Sequence, residues 1–271
     1  MSRLHHLALL ALLATGCAST STMGLARTLN KGAVQGWVAG EGGGIIVPAT
    51  TSSPGGSGPG TGYPMVEGGV RFGASDHVEL GARLGFNGLT LEGKFALLRS
   101  PTMDSGVNLS LNPMVGFFGL TLGSAFLGNV AFQLPVLIGI DFAGHELVFG
   151  PRLYDQLYFG GVSTGTTSGS VALNLLSAGG SIGFAIKAGP IRILPEVSVL
   201  VPFLSTGAVS GGGNALTSAG VGGFIFQAGI GILFGSRDAY ERAQPLPPPV
   251  GPPPPPAPTD GPPPMPAAAP N

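Results

Sequence analysis

From Tyr63 to Arg99 the chain alternates with period two through three successive runs. Glu67, Gly69, Arg71 and Gly73 share one parity, and Val66, Gly68, Val70 and Phe72 the other. After Ala74-Ser75-Asp76 the pattern restarts, with His77, Glu79, Gly81, Arg83 and Gly85 set against Val78, Leu80, Ala82, Leu84 and Phe86. After Asn87-Gly88 it restarts again, with Thr90, Glu92, Lys94 and Ala96 against Leu89, Leu91, Gly93, Phe95 and Leu97. Side chains alternate across a strand with this period, so the stretch predicts a three-stranded meander. One face carries every charge of the three strands and the other carries none.

Composition decides which face meets solvent. Charged residues make up 9% of the 271-residue chain, against roughly a quarter in an ordinary soluble domain. Twelve basic and thirteen acidic side chains are too few to coat the outside of a barrel of this size. The economical reading is an inverted barrel, with charges inside and the apolar face toward lipid. Such a sheet must close, because an unpaired edge in hydrocarbon costs several kcal/mol per backbone group. The competing reading is a soluble β-sandwich whose polar face is its exterior. A net charge of −1 gives no basic surface for nucleic acid.

The remaining pattern extends the meander to about ten strands (eight to twelve). Strand one is expected over Ala33–Val47, with Gln35, Ala39 and Glu41 on one parity. The later strands are expected over Gly106–Gly119, Gly128–Phe142, His145–Phe159, Leu176–Ala188, Ile191–Phe203 and Val221–Phe234. Pro48–Gly62, Leu120–Leu127, Gly160–Gly169 and Ser205–Ser218 read as loops, Ala143-Gly144 and Gly189-Pro190 as tight turns. Pro195 and Pro202 weaken their run as a central strand. Outward phenylalanines sort to the two strand ends: Phe86, Phe117, Phe159, Phe203 and Phe224 at one, Phe72, Phe95, Phe142, Phe149 and Phe234 at the other.

The first residues read as a secretory signal, with Arg3 followed by the apolar run Leu4–Ala14. It ends in Leu13-Ala14-Thr15-Gly16-Cys17, and Cys17 is the one cysteine of the chain. This resembles the lipobox of bacterial lipoproteins, in which the cysteine is acylated and becomes the first residue. Two acyl chains suffice for stable anchoring. The resemblance implies residues 1–16 as signal, 17–32 as a periplasmic tether, and export to the outer membrane.

The last strand, Gln227-Ala228-Gly229-Ile230-Gly231-Ile232-Leu233-Phe234, resembles the terminal assembly signal of small Gram-negative outer-membrane β-barrel proteins. The likeness covers about Ala33 to Phe234. It implies a closed antiparallel transmembrane barrel over 33–235 with porin-like architecture, delivered by the barrel assembly machinery, with both termini in the periplasm. Residues 236–271 are rich in Pro, Ala and Gly and cannot build a core. Extended as polyproline II at about 3.1 Å per residue, the proline run reaches on the order of 70–80 Å. It is a passive spacer, or a reach toward the cell wall or a periplasmic protein.

No motif for chemistry survives inspection. Gly88-Leu-Thr-Leu-Glu-Gly-Lys94 begins like a phosphate-binding loop, but Phe95 stands where Ser or Thr is needed, and the run is a strand. His77 and His145 have no companions for a metal or a nucleophile. The expectation is a non-enzyme without cofactor or metal. What remains is the inward cluster Glu67, Arg71, Glu79, Arg83, Glu92, Lys94, Arg152, Lys187, Arg192 and Glu196. It reads as a salt-bridged filling or as the lining of a narrow pore, with the inward glycines giving room to arginine side chains or water. Gly81 and Gly139 are expected to accept serine unless the interior is fully packed. The functions that follow are a lipid-anchored outer-membrane barrel with a structural or surface-interaction role, a narrow channel or transporter, or a tethered soluble β-protein that binds an apolar ligand.

Replacing Cys17 by serine is expected to abolish acylation and lipoprotein-type signal cleavage. Metabolic palmitate labelling checks this, and label persisting in Cys17→Ser would disprove the assignment.

Overall fold

The alternating runs do form strands, and the strands close on themselves. A computed structural model describes residues 19–46, 63–85, 88–164, 167–210 and 223–235. Its strand segments are β1 (Val34–Ile46), β2 (Tyr63–Ser75), β3 (Val78–Gly85), β4 (Gly88–Leu98), β5 (Ser105–Leu111), β6 (Met114–Leu122), β7 (Ala125–Phe142), β8 (His145–Phe149), β9 (Arg152–Thr164), β10 (Thr167–Ala188), β11 (Ile191–Ser210) and β12 (Phe224–Gly235). Segments β5 and β6 both pair with β4 and β7, one above the other, and β8 and β9 both pair with β7 and β10. Each of these pairs fills one place in the wall, so the twelve segments make ten strands. All neighbours are antiparallel, and β12 pairs with β1 from Gln35↔Gly235 to Ile46↔Phe224, which closes the ring.

Pairing in this ring puts the charged parity inside. Arg71 is 1% exposed and Lys94 2%, while Leu84 and Leu97, on the other parity of the same hairpins, are each 66% exposed. Exposed Val, Leu, Ile and Phe continue around the outside, from Val38 on β1 through Phe132 on β7 to Ile230 on β12. Phe142 and Phe184 stack with centroids 5.5 Å apart beside the Ala143-Gly144 turn, and Phe126 and Phe159 lie 5.8 Å apart toward the other rim. Phe86, residues 1–18, the loop Pro48–Gly62 and the Pro-rich tail 236–271 lie outside the described residues.

Local sequence explains the irregular points. Ala143 and Gly144 both have positive φ (51° and 82°), the geometry of a two-residue turn matched to strand twist. Pro113 and Pro151 mark the breaks between β5 and β6 and between β8 and β9, where proline has no N–H for the ladder. Their carbonyls still accept from Gly93 (3.0 Å) and Val136 (2.8 Å), so the wall continues. Pro202 stands beside an irregularity in which Leu176 pairs with Leu204 but Ser177 with Pro202. Pro195 falls where the β10–β11 pairing skips from Glu196 to Ile193. Both prolines are accommodated in a twenty-residue strand that is central after all.

Two expected loops are strands instead, and the first residues of a third, Ser205 to Ser210, continue β11 against β10. Leu120–Leu127 is a hairpin in which Leu122 pairs with Ala125, and Gly160–Gly169 continues as paired strands up to Thr164↔Thr167. Small residues do not forbid a ladder that both neighbours complete. The wall is therefore uneven in height. Segment β3 has 8 residues, against 18 in β7 and 22 in β10.

The largest correction concerns the expected tether. Met23, Leu25, Ala26, Leu29, Arg27 and Thr28 are each 0% exposed, and Ser19–Thr22 lie between 1% and 6%. They run inside the barrel and pack with Trp37, Ala39, Met103, Leu137, Val148, Ala185, Leu194 and Leu233. The inward glycines make room for this segment and its partners rather than for water. A Cβ on Gly229 would lie 2.8 Å from Met23 Cε, one on Gly231 3.0 Å from Met23 Sδ, and one on Gly69 2.7 Å from Trp37 Nε1.

Packing of this density reverses the serine expectation. A Cβ at Gly139 would collide with Glu146 Oε1 and approach Ala26 Cβ to 2.8 Å, and one at Gly81 would meet Glu92 Oε1 at 2.5 Å. Gly139→Ser is expected to destabilise the barrel by about 1–3 kcal/mol. Gly40→Ser, where nothing lies within 4 Å, should leave the urea midpoint in detergent unchanged. Equal midpoints for the two variants would contradict the packed lumen.

Candidate functional site in the barrel lumen

The threaded segment has no sheet ladder, so each buried N–H and C=O needs another partner. The lumen supplies them from charged and amide side chains of the wall. Glu196 on β11 accepts from the backbone N–H of Thr22 (2.8 Å) and of Met23 (2.9 Å) and from the Thr22 hydroxyl (2.9 Å). Glu146 on β8 accepts from Ala26 (2.8 Å) and Arg27 (3.3 Å). Glu79 accepts from Leu29 N–H (2.9 Å), and Gln227 from Thr20 N–H (2.5 Å). The carbonyls are met by cations and amides. Gln133 donates to Ser19 O (3.0 Å), Arg83 to Ser21 O (3.0 Å), Arg152 to Thr20 O, and Arg99 to Thr28 O (3.5 Å).

Arg71 is the centre of the array. Its Nε donates to Glu92 Oε1 at 2.6 Å, one terminal nitrogen to Met23 O at 2.7 Å, and the other to Thr22 O at 3.0 Å. Its guanidinium lies 5.1 Å from the Trp37 ring centroid, a cation–π contact between two buried side chains. A Cβ on Gly24 would sit 3.3 Å from the same guanidinium, so the segment passes beneath Arg71 where its side chain is smallest.

Several charges that hold the segment also pair with a neighbouring charge of the wall. Lys94 Nζ lies 2.7 Å from Glu79, Arg83 3.3 Å from Glu67, and Arg152 3.6 Å from Glu196. Taking an ion out of water costs several kcal/mol, which is offset only by good geometry and further hydrogen bonds. The cost of removing one partner is therefore high everywhere in the lumen.

Of the ten residues expected inside, nine are buried: Glu67, Arg71, Glu79, Arg83, Glu92, Lys94, Arg152, Arg192 and Glu196. Lys187 is not an interior charge. It is exposed at the turn-side rim, where its stem lies over Gly144 and its backbone N–H donates to His145 Nδ1 (3.0 Å). One residue from the end of β10, it has the inward parity but no wall above it. Arg192 is buried at the same rim, with a donor to Gly144 O (2.6 Å). Cys17 lies outside the described residues.

Five charges belong to the array beyond those ten: Glu41, Asp141, Glu146, Arg27 and Arg99. Glu41 accepts from Ser19 (3.1 Å) and from Ser21 and Gln227. Asp141 takes Asn108 Nδ2 at 2.7 Å and faces Arg27 at 3.7 Å. Glu41, Asp141 and Glu146 all stand on inward parities, which is the signal that identifies them. Arg27 comes from the segment itself and donates to Ser100 O (2.8 Å) and Thr102 O (2.9 Å). Nothing periodic in residues 18–31 announces it.

Neither a protein-family model nor a curated protein matches the sequence. Among solved structures, the chain is similar to the outer-membrane protease OmpT from Escherichia coli at 8% identity over 77% of this chain and 97% of that one, with a TM-score of 0.40. It is similar to a major outer-membrane protein from Thermus thermophilus at 12% identity, 74% and 98% coverage and a TM-score of 0.33. The translocator domain of the autotransporter NalP from Neisseria meningitidis follows at 8% identity, 85% and 94% coverage and a TM-score of 0.24. Likeness at this level says nothing about activity.

Proposed function

We propose that this chain is an outer-membrane barrel with a structural or surface-interaction role, acylated at Cys17. One observation carries the reading: a closed ring with its charges buried and a continuous belt of exposed Val, Leu, Ile and Phe outside. In water such a belt would be an aggregation surface far larger than monomeric proteins tolerate. In a bilayer it is the ordinary exterior of a barrel. The channel reading is less favoured, because Ser19–Asn30 and the paired charges fill the described lumen.

Ser19 lies level with Glu41, Gln133 and Gln227, well along their strands, whereas Lys31 reaches the β2–β3 turn through its N–H to Asp76 (3.0 Å).

Bromolipid quenching tests the membrane reading. Cysteines at Leu80 and Ile138, in a chain lacking Cys17 and labelled with a fluorophore, should be quenched by brominated lipid. Leu80→Arg should cost about 2–4 kcal/mol of insertion, as for a cation near the bilayer midplane. Absence of quenching at both positions would refute it. In planar bilayers the intact protein is expected to be silent, and stepwise conductance would favour the channel.

A further inference from the structure

We propose that the lumen is a polypeptide-binding site, selective for a bent chain without a ladder of its own and recognised through its backbone, and that Ser19–Asn30 is such a ligand held in cis. The contacts carry this inference. Glu196 and Glu146 each bridge two consecutive backbone N–H groups, and Arg71 bridges two consecutive carbonyls. These are atoms that almost any residue possesses, so the wall reads chain geometry more than side-chain identity. A buried segment without a ladder needs such partners whatever its role; what makes the lumen a site is that all of them stand on the wall and meet the backbone of the segment.

The side-chain requirements are few, and they define the ligand class. The residue beneath Arg71 must be small, as Gly24 is. An unbranched apolar side chain fits the notch over Gly229 and Gly231, where Met23 lies. A cation suits the turn-side end, where Arg27 meets Ser100 O, Thr102 O and Asp141. The covalent link from segment to wall is one exposed corner, Lys31-Gly32, with Gly32 at φ 80° and nothing within 4 Å of its Cβ position. The site is therefore built by the wall, and its occupant is joined to it through a single exposed corner. The inference depends on the closed barrel and not on its membrane.

A protease site inserted between Lys31 and Gly32 of the full chain, folded in detergent, separates occupant from wall. After cutting, the barrel should take up a fluorescent peptide of sequence Ser19–Asn30, read by anisotropy, while the uncut protein should not. Serine-to-alanine changes at 19 and 21 of the peptide should alter affinity by less than about tenfold. N-methylation at Met23 and Ala26 removes one N–H from each carboxylate and should weaken binding by about a hundredfold or more. A chain lacking residues 19–31 provides the second arm. The parent peptide should restore its refolding, followed by circular dichroism, and the N-methylated peptide should not. No uptake by an intact cut barrel together with no rescue, or equal binding of the N-methylated peptide, would overturn the proposal.

Discussion

The contact on which the rest of the structure depends is Arg71 with Glu92 on one side and the carbonyls of Thr22 and Met23 on the other. It is one charge-assisted junction between wall and interior. A buried guanidinium has five donors and no acceptor, so it must be surrounded by oxygen. A buried chain without a ladder offers oxygen in the form of orphaned carbonyls. Each needs what the other has. The same exchange, with the sign reversed, joins Glu196 and Glu146 to the N–H groups of residues 22, 23, 26 and 27. Hydrogen bonds to ionised groups contribute about 1.5–3 kcal/mol each, and both kinds of group would be strongly destabilising if left alone.

Space for that exchange comes from glycine and from the shape of the wall. Ten strands enclose more volume than their inward side chains fill when many are glycine. Gly229 and Gly231 on β12 leave a recess for Met23, and Gly73 approaches the backbone of Asn30 so closely that no Cβ would fit. Because β12 carries the recess and also closes the ring against β1, packing of the segment and closure of the barrel involve the same strand. Gly32 N–H to Gly73 O (2.7 Å) and Gly73 N–H to Ala33 O (2.9 Å) then turn the chain from the lumen into β1.

The wall was legible in the sequence and the occupant was not, for a physical reason. Period-two alternation reports a difference between two environments, and Glu67 to Lys94 sit between lipid-like and polar surroundings at every second position. Strand count, closure and the inward side of nine charges follow from it. Residues 19–30 are buried on all sides, so no alternation records their surroundings, and their small polar side chains look like those of a tether. The inward glycines misled: Gly69, Gly81 and Gly229 read as room for arginine side chains or water, and the room is taken by the threaded segment and its partners. Lys187 failed for the opposite reason, since parity at a strand end says nothing once the wall stops. Loop composition misled at Gly160–Gly169, where backbone pairing with β10 outweighs the weak strand preference of Gly, Ser and Thr.

The charges of the lumen are thus better understood as backbone partners than as a filling. An apolar interior of equal volume would be the more stable solution for isolated ion pairs. It is not available to this barrel, because leucine in place of Glu196 would leave two N–H groups and a hydroxyl buried without acceptors. Lys94, Arg83 and Arg152 then hold Glu79, Glu67 and Glu196 at distances of 2.7, 3.3 and 3.6 Å, in place to accept. A chain threaded through its own barrel needs such an array along its length. The 9% of residues that are charged are concentrated where this need is.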